Sequence, residues 1–73
     1  MALEDTIKRR FGKRLRVLRL ANGLSQEQLA FRAKLHRTYV SSAERGQRNV
    51  SLVNLHKLAK ALRIDVGEFF QKA

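Results

Sequence analysis

The chain has 73 residues, room for one domain, and its 16 Lys and Arg against 6 Asp and Glu give a formal net charge of +10. It has no Cys, which excludes disulfide staples and thiolate metal sites, and no apolar run approaches the roughly 20 residues that a bilayer span needs. A basic excess of this size points to a polyanionic partner, nucleic acid first, with an anionic membrane surface as the rival.

Proline is also absent, so the breaks between elements come from Gly and from Ser, Asn and Asp at helix caps. The first helix is predicted from about Thr6 to Ala21. Ile7, Phe11, Leu15 and Leu18 recur at helical spacing and draw one apolar stripe. Arg9, Lys13 and Arg16 fall on the opposite face, and Asn22-Gly23 is the stop, because both residues tolerate a left-handed backbone. The second helix starts at Ser25. Ser25 and Gln28 have capping-box spacing, and Leu24 and Leu29 stand where a hydrophobic staple belongs. This helix turns Leu29, Ala30 and Ala33 inward and ends near Lys34. The third helix is predicted over Arg37–Arg45, closed by Gly46. Only Val40 and Ala43, with Leu35 just before them, are placed for burial. Arg37, Thr38, Tyr39, Ser41, Ser42 and Glu44 make it too polar to form for burial alone.

The fourth helix starts at the cap Ser51, with Val50 and Leu55 as its staple pair and Leu55, Leu58, Ala59 and Leu62 inward. A short fifth helix, about residues 65–72, opens on a capping-box-like Asp65 and Glu68 and carries Phe69-Phe70. Two adjacent aromatics on so short a helix cannot both face inward, so one is expected at the surface, where it marks a partner contact. The expectation is an all-α fold: five helices with short connections, in one domain over residues 1–73. A domain this small buries only about 60% of its unfolded surface, so a second copy of the chain would supply burial that its core lacks.

Residues 25–46 form the informative unit. Two short helices are joined by about four residues around Lys34 to His36. Ala30 is small enough for the second helix to cross closely, and Leu35, Val40 and Ala43 hold that helix to the body. This is helix-turn-helix spacing, in which the second helix enters the major groove of DNA. The strings Gly23-Leu24-Ser25-Gln26-Glu27-Gln28-Leu29-Ala30, Leu35-His36-Arg37-Thr38-Tyr39-Val40-Ser41 and Glu44-Arg45-Gly46 carry a resemblance to the Cro/CI (Xre) helix-turn-helix family. Arg48-Asn49-Val50-Ser51-Leu52 and Leu58-Ala59-Lys60-Ala61-Leu62 extend it over nearly the whole chain. Within the family, Leu35 to Val40, Arg48 to Leu52 and the minimal length resemble restriction–modification controller proteins.

The resemblance implies a compact five-helix, λ-repressor-like domain and a role for each matched residue. Arg37, Thr38 and Ser42 match base-reading positions. An arginine that holds guanine O6 and N7 discriminates by about 1–3 kcal/mol. Gln26, at the start of the second helix, matches a phosphate contact, which free N–H groups and the helix dipole favour in any case. Arg48 and Asn49 match the loop that grips the DNA backbone, and Tyr39 and Ser41 lie at the edge of the base-reading surface, where phosphate contact is expected. Such contacts position a protein without reading sequence. Arg19 and Glu44 match a structural ion pair that sets the angle of the recognition helix. Lys34 stands where the family usually has glycine. A left-handed backbone there costs lysine roughly 1 kcal/mol, with a phosphate contact as the compensation. Val66, Phe69 and Phe70, flanked by Leu52, Val53 and His56, match a two-fold dimer surface.

The expected function is a sequence-specific transcription regulator in the cytoplasm. It binds double-stranded DNA as a homodimer on an inverted repeat, with its own promoter and restriction–modification genes as the targets the resemblance suggests. No cofactor, metal, membrane or small-molecule effector is expected; His36 and His56 stand alone and read as surface or cap residues. The alternative is an antitoxin-type regulator that also binds a partner protein. An RNA-binding reading lacks a stacking platform, and an enzyme lacks a nucleophile–base set or a phosphate loop. The seven basic residues from Lys8 to Arg19 suit a solvated face that adds to the long-range field. A membrane-surface helix would use the same pattern, but its apolar stripe is needed to close the core.

Overall fold

The computed structural model describes residues 2–71. These form four α-helices, α1 (Leu3–Ala21), α2 (Gln26–Ala33), α3 (Arg37–Glu44) and α4 (Leu52–Leu62), followed by a 3₁₀ turn at Val66–Phe70. The expected fifth helix is thus not an α-helix. Five residues that include Gly67 are too short and too poor in helix formers to sustain α geometry, and 3₁₀ is the usual form of so short a piece. The capping box expected there is missing as well. Asp65 makes no side-chain cap bond, and the backbone bond from Glu68 N–H to the Asp65 carbonyl (2.9 Å) closes the turn instead. Gln71 is already extended; residue 72, the predicted end of that helix, lies outside the described residues.

Helix α1 starts three residues earlier than its pattern suggests, with Ala2 as an uncapped N-cap and Glu4 and Asp5 in the first turn, where the helix dipole favours acids. Its first two turns run past the core, so Leu3 and Ile7 are exposed. Ile7 is therefore a surface residue rather than part of the core stripe. The inward face of α1 is Phe11, Gly12, Leu15 and Arg19, with Leu18 half-buried against it.

The middle of the chain follows its local signals. Ser25 Oγ accepts from Gln28 N–H (3.0 Å) while Gln28 Oε1 accepts from Ser25 N–H (2.9 Å), a complete capping box. Ser51 Oγ accepts from Asn54 N–H (3.1 Å) at the head of α4. The core lies where α1, α2, α3 and α4 meet: Leu15, Leu29, Val40, Leu58 and Leu62 are fully buried. Phe69 closes its lower end against Phe11, with ring centroids 5.1 Å apart in a tilted pair, while its neighbour Phe70 is 62% exposed. One aromatic in and one out is the arrangement that two adjacent side chains on a short turn require.

Among the described residues, no helix is long and apolar enough to cross a membrane, and no three His, Cys, Asp or Glu side chains stand together as a metal site.

Candidate nucleic-acid interface

The seat of α3 is built on α1. A Cβ at Gly12 would stand 2.5 Å from the Ala43 carbonyl oxygen and 2.6 Å from that of Glu44, so only glycine lets the end of α3 lie this close. Two turns further along, Arg19 reaches the same end of α3. Its Nε donates to Glu44 Oε2 (2.6 Å), its Nη2 to Oε1 (3.0 Å), and its Nη1 to the Leu24 carbonyl (2.8 Å). Gln26 Nε2 also donates to Glu44 Oε1 (3.2 Å). Both charged side chains are buried, which is tolerable only because the pair is bidentate and its remaining groups have partners. The bond to Glu44 holds the Arg19 guanidinium above its usual pKa against the opposing effect of burial, so its charge is fixed throughout the neutral range. One salt bridge thus joins α1, the α2 entry and α3 and fixes the direction in which α3 projects.

With Val40 and Ala43 inward, the opposite face of α3 is left to solvent. Arg37 and Thr38 are exposed at its first turn, and Ser41 and Ser42 are half-buried one turn on. The Ser42 hydroxyl donates to the Tyr39 carbonyl (3.1 Å) and accepts from Arg48 Nε (3.0 Å). The Arg48 guanidinium also lies 4.5 Å from the centroid of the Tyr39 ring, a cation–π arrangement. Ser42, Tyr39 and Arg48 therefore form one connected group that ties the loop after α3 back onto the helix, with Asn49 exposed beside it. Of the expected phosphate contacts, Gln26 is half-buried and bonded to Glu44, so it serves the seat of α3 in this structure. Lys34 is exposed and has φ 58° and ψ 43°, the left-handed conformation.

Two residues, Arg45 at the end of α3 and Gly12 on α1 against that end, do more than their places in the sequence suggest. Arg45, read only as a helix end, donates through Nη1 to the Ser41 hydroxyl and through Nε to Gln47 Oε1 (3.2 Å). Thr38, Ser42 and Arg45 are spaced by four and three residues, one helical face, and that spacing was the available signal. Gly12, a lone glycine inside a helical pattern, was a second such signal, since it often marks a close backbone approach.

The residues expected at a partner surface divide. Leu52, Val53 and Phe70 are exposed, as is His56, and Val66 is half-buried. Phe69 belongs to the interior, where its ring is 2% exposed. Arg14 secures this end of the chain, donating through Nε to the Glu68 carbonyl (2.8 Å), with Nη2 3.7 Å from the Glu68 carboxylate.

Residues 15–69 match the model of the HTH_3 helix-turn-helix family. The chain is 49% identical over 63 residues to the control protein C.BamHI of Bacillus amyloliquefaciens, across 85% of this chain and 78% of that one. It is 52% identical over 67 residues to the control protein C.MunI of a Mycoplasma species, across 90% of each. Its fold superposes with a TM-score of 0.88 on the crystal structure of the restriction–modification controller protein C.AhdI from Aeromonas hydrophila, at 60% identity over 89% of this chain and 98% of that one.

Proposed function

The chain belongs to the HTH_3 helix-turn-helix family of Xre or Cro/CI type, as a DNA-binding transcription regulator of the controller-protein kind, and from that premise we propose that it acts as a homodimer on an inverted-repeat operator governing restriction–modification genes and its own promoter. The observation that carries this reading is the solvent-facing polar side of α3, held at one angle by the buried Arg19–Glu44 pair. A helix presented this way suits the major groove, with its N-terminal residues against base edges.

In this reading Arg37 and Thr38 read bases from the first turn of α3, and a Ser42 contact exchanges one of its two internal hydrogen bonds. Arg48, Asn49, Tyr39, Ser41 and Lys34 hold the backbone, together with Arg45. Gln26 contributes phosphate contact through the head of α2, where N–H groups are free. Leu52, Val53 and Phe70, with the exposed part of Val66, form the two-fold surface, and Phe69 supports it from behind. Two recognition helices related by this axis address half-sites about 34 Å apart. Occupancy then follows protein concentration through the dimer equilibrium, by mass action.

The test is to select duplex DNA from a random pool with purified protein at physiological salt. The reading expects an enriched inverted repeat with half-sites about one turn apart. Enrichment of a single unrepeated site would remove the dimer, and salt-sensitive retention of all sequences alike would remove specific recognition.

A further inference from the structure

A second basic surface lies outside the face formed by α3 and the loop that follows it. The C-terminal ends of α2 and α4 meet in a shallow depression lined by five cations, Arg32, Lys34, Lys57, Lys60 and Arg63, with Ala33 and Ala61 as its floor and no carboxylate in its wall. None of the five takes part in the three ion pairs of the described residues. The two non-glycine residues with positive φ, Lys34 and Arg63, both at 58°, are both in this group. Each is the left-handed C-cap of its helix, a position where glycine or asparagine is favoured because any Cβ is strained. The chain thus accepts strain twice, each time to place a cation at this surface. The helix dipole favours the cations of the last turn, but that effect fades within a turn and does not reach Lys57, and it gives no reason to prefer lysine and arginine over glycine at the caps.

Lys34 is the link to the neighbouring surface. It stands three residues before Arg37, in the turn that feeds α3. If the first turn of α3 meets base edges, that turn lies at the rim of the groove. From there Lys57, Lys60 and Arg63 carry the positive surface away from the bases and along the body. We propose that this five-cation surface binds the phosphate backbone of the DNA flanking each half-site, outside the base pairs that α3 reads. The inference rests on the proposed operator reading. It adds that the protein's footprint extends beyond its recognition sequence, with affinity there set by charge and not by base identity.

The experiment uses the selected inverted repeat in two duplexes, one ending at the repeat and one with about 12 base pairs of arbitrary sequence on each side. The wild-type chain is compared with a K57Q/K60Q variant, whose two positions are exposed on α4. For the wild type, flanks are expected to raise affinity about tenfold and to steepen the salt dependence by roughly 0.9 in the log–log slope per phosphate engaged. The variant should lose most of that gain, under twofold remaining, yet bind the short duplex and rank base substitutions as the wild type does. R63G gives a second signature: a chain that unfolds at higher temperature but has a reduced flank effect, which a purely structural arginine would not show. Equal flank gains and equal slopes for wild type and variant overturn the proposal while leaving the operator reading intact, and a surface meant for an acidic protein would give that result. Failure to prefer any sequence, with or without flanks, overturns both.

Discussion

The seat of α3 and the C-terminal turn are both fastened to α1, but with a different balance of polar and apolar contacts. At the seat, a buried bidentate ion pair and a glycine contact join polar groups in directions that allow one geometry. At the C-terminal turn, one aromatic ring is packed against another, and Arg14 adds one hydrogen bond to the Glu68 carbonyl and an ion pair partly open to solvent. Directional bonds fix an angle, which the proposed docking of α3 in a groove requires. Apolar packing with a single hydrogen bond fixes a segment less closely, and here it leaves the outer ring, Phe70, exposed.

The largest expected effect breaks the seat. Glu44→Ala or Arg19→Ala leaves the other charge buried and unpaired, and each should cost about 3–5 kcal/mol in urea unfolding. Replacing both, Arg19→Met with Glu44→Leu, should recover most of that loss, because the cost lies in the orphaned charge. Single losses below about 1 kcal/mol would mean that the pair does not hold α3.

At the C-terminal turn, Phe69→Ala should cost about 3 kcal/mol, as expected for a buried ring on a short turn that can partly collapse. Phe70→Ala should change monomer stability by less than about 0.5 kcal/mol while raising the dimer dissociation constant in sedimentation equilibrium. Similar stability losses for the two would mean that the inside–outside division of the aromatic pair is wrong.

Helices α2 to α4 were readable because their boundaries rest on local chemistry: the Ser25–Gln28 box, the Ser51 cap, and apolar residues at helical spacing. The turn at Val66–Phe70 was misread as a helix because a cap-like Asp65 and Glu68 fit two different uses of Glu68, and its pairing with Arg14, 54 residues away, is not a local signal. Ile7 obeyed the period of the core stripe, but periodicity gives the face of a helix and not how far along it the core extends. The polar face of α3 was legible as unsuited to burial. The engagement of Gln26 with Glu44 and of Ser42 with Arg48 was not, because both depend on the crossing of elements.

A smaller effect than the loss of the ion pair or of Phe69 is expected at the turn between α2 and α3. Lys34→Gly should relieve the left-handed strain and raise stability by about 1 kcal/mol, read as a higher unfolding midpoint, while weakening DNA binding at low salt. A destabilised Lys34→Gly chain would show that lysine makes a structural contact there.

The most direct test of the central claim, that the first turn of α3 reads base edges, is the affinity of wild type and Arg37→Ala for the selected operator and for single-base variants of it. Arg37→Ala should lose roughly 10- to 100-fold of discrimination at one position in each half-site, about 1–3 kcal/mol, while keeping nearly all of its salt-dependent affinity for unrelated DNA. An unchanged base preference at every position would contradict it.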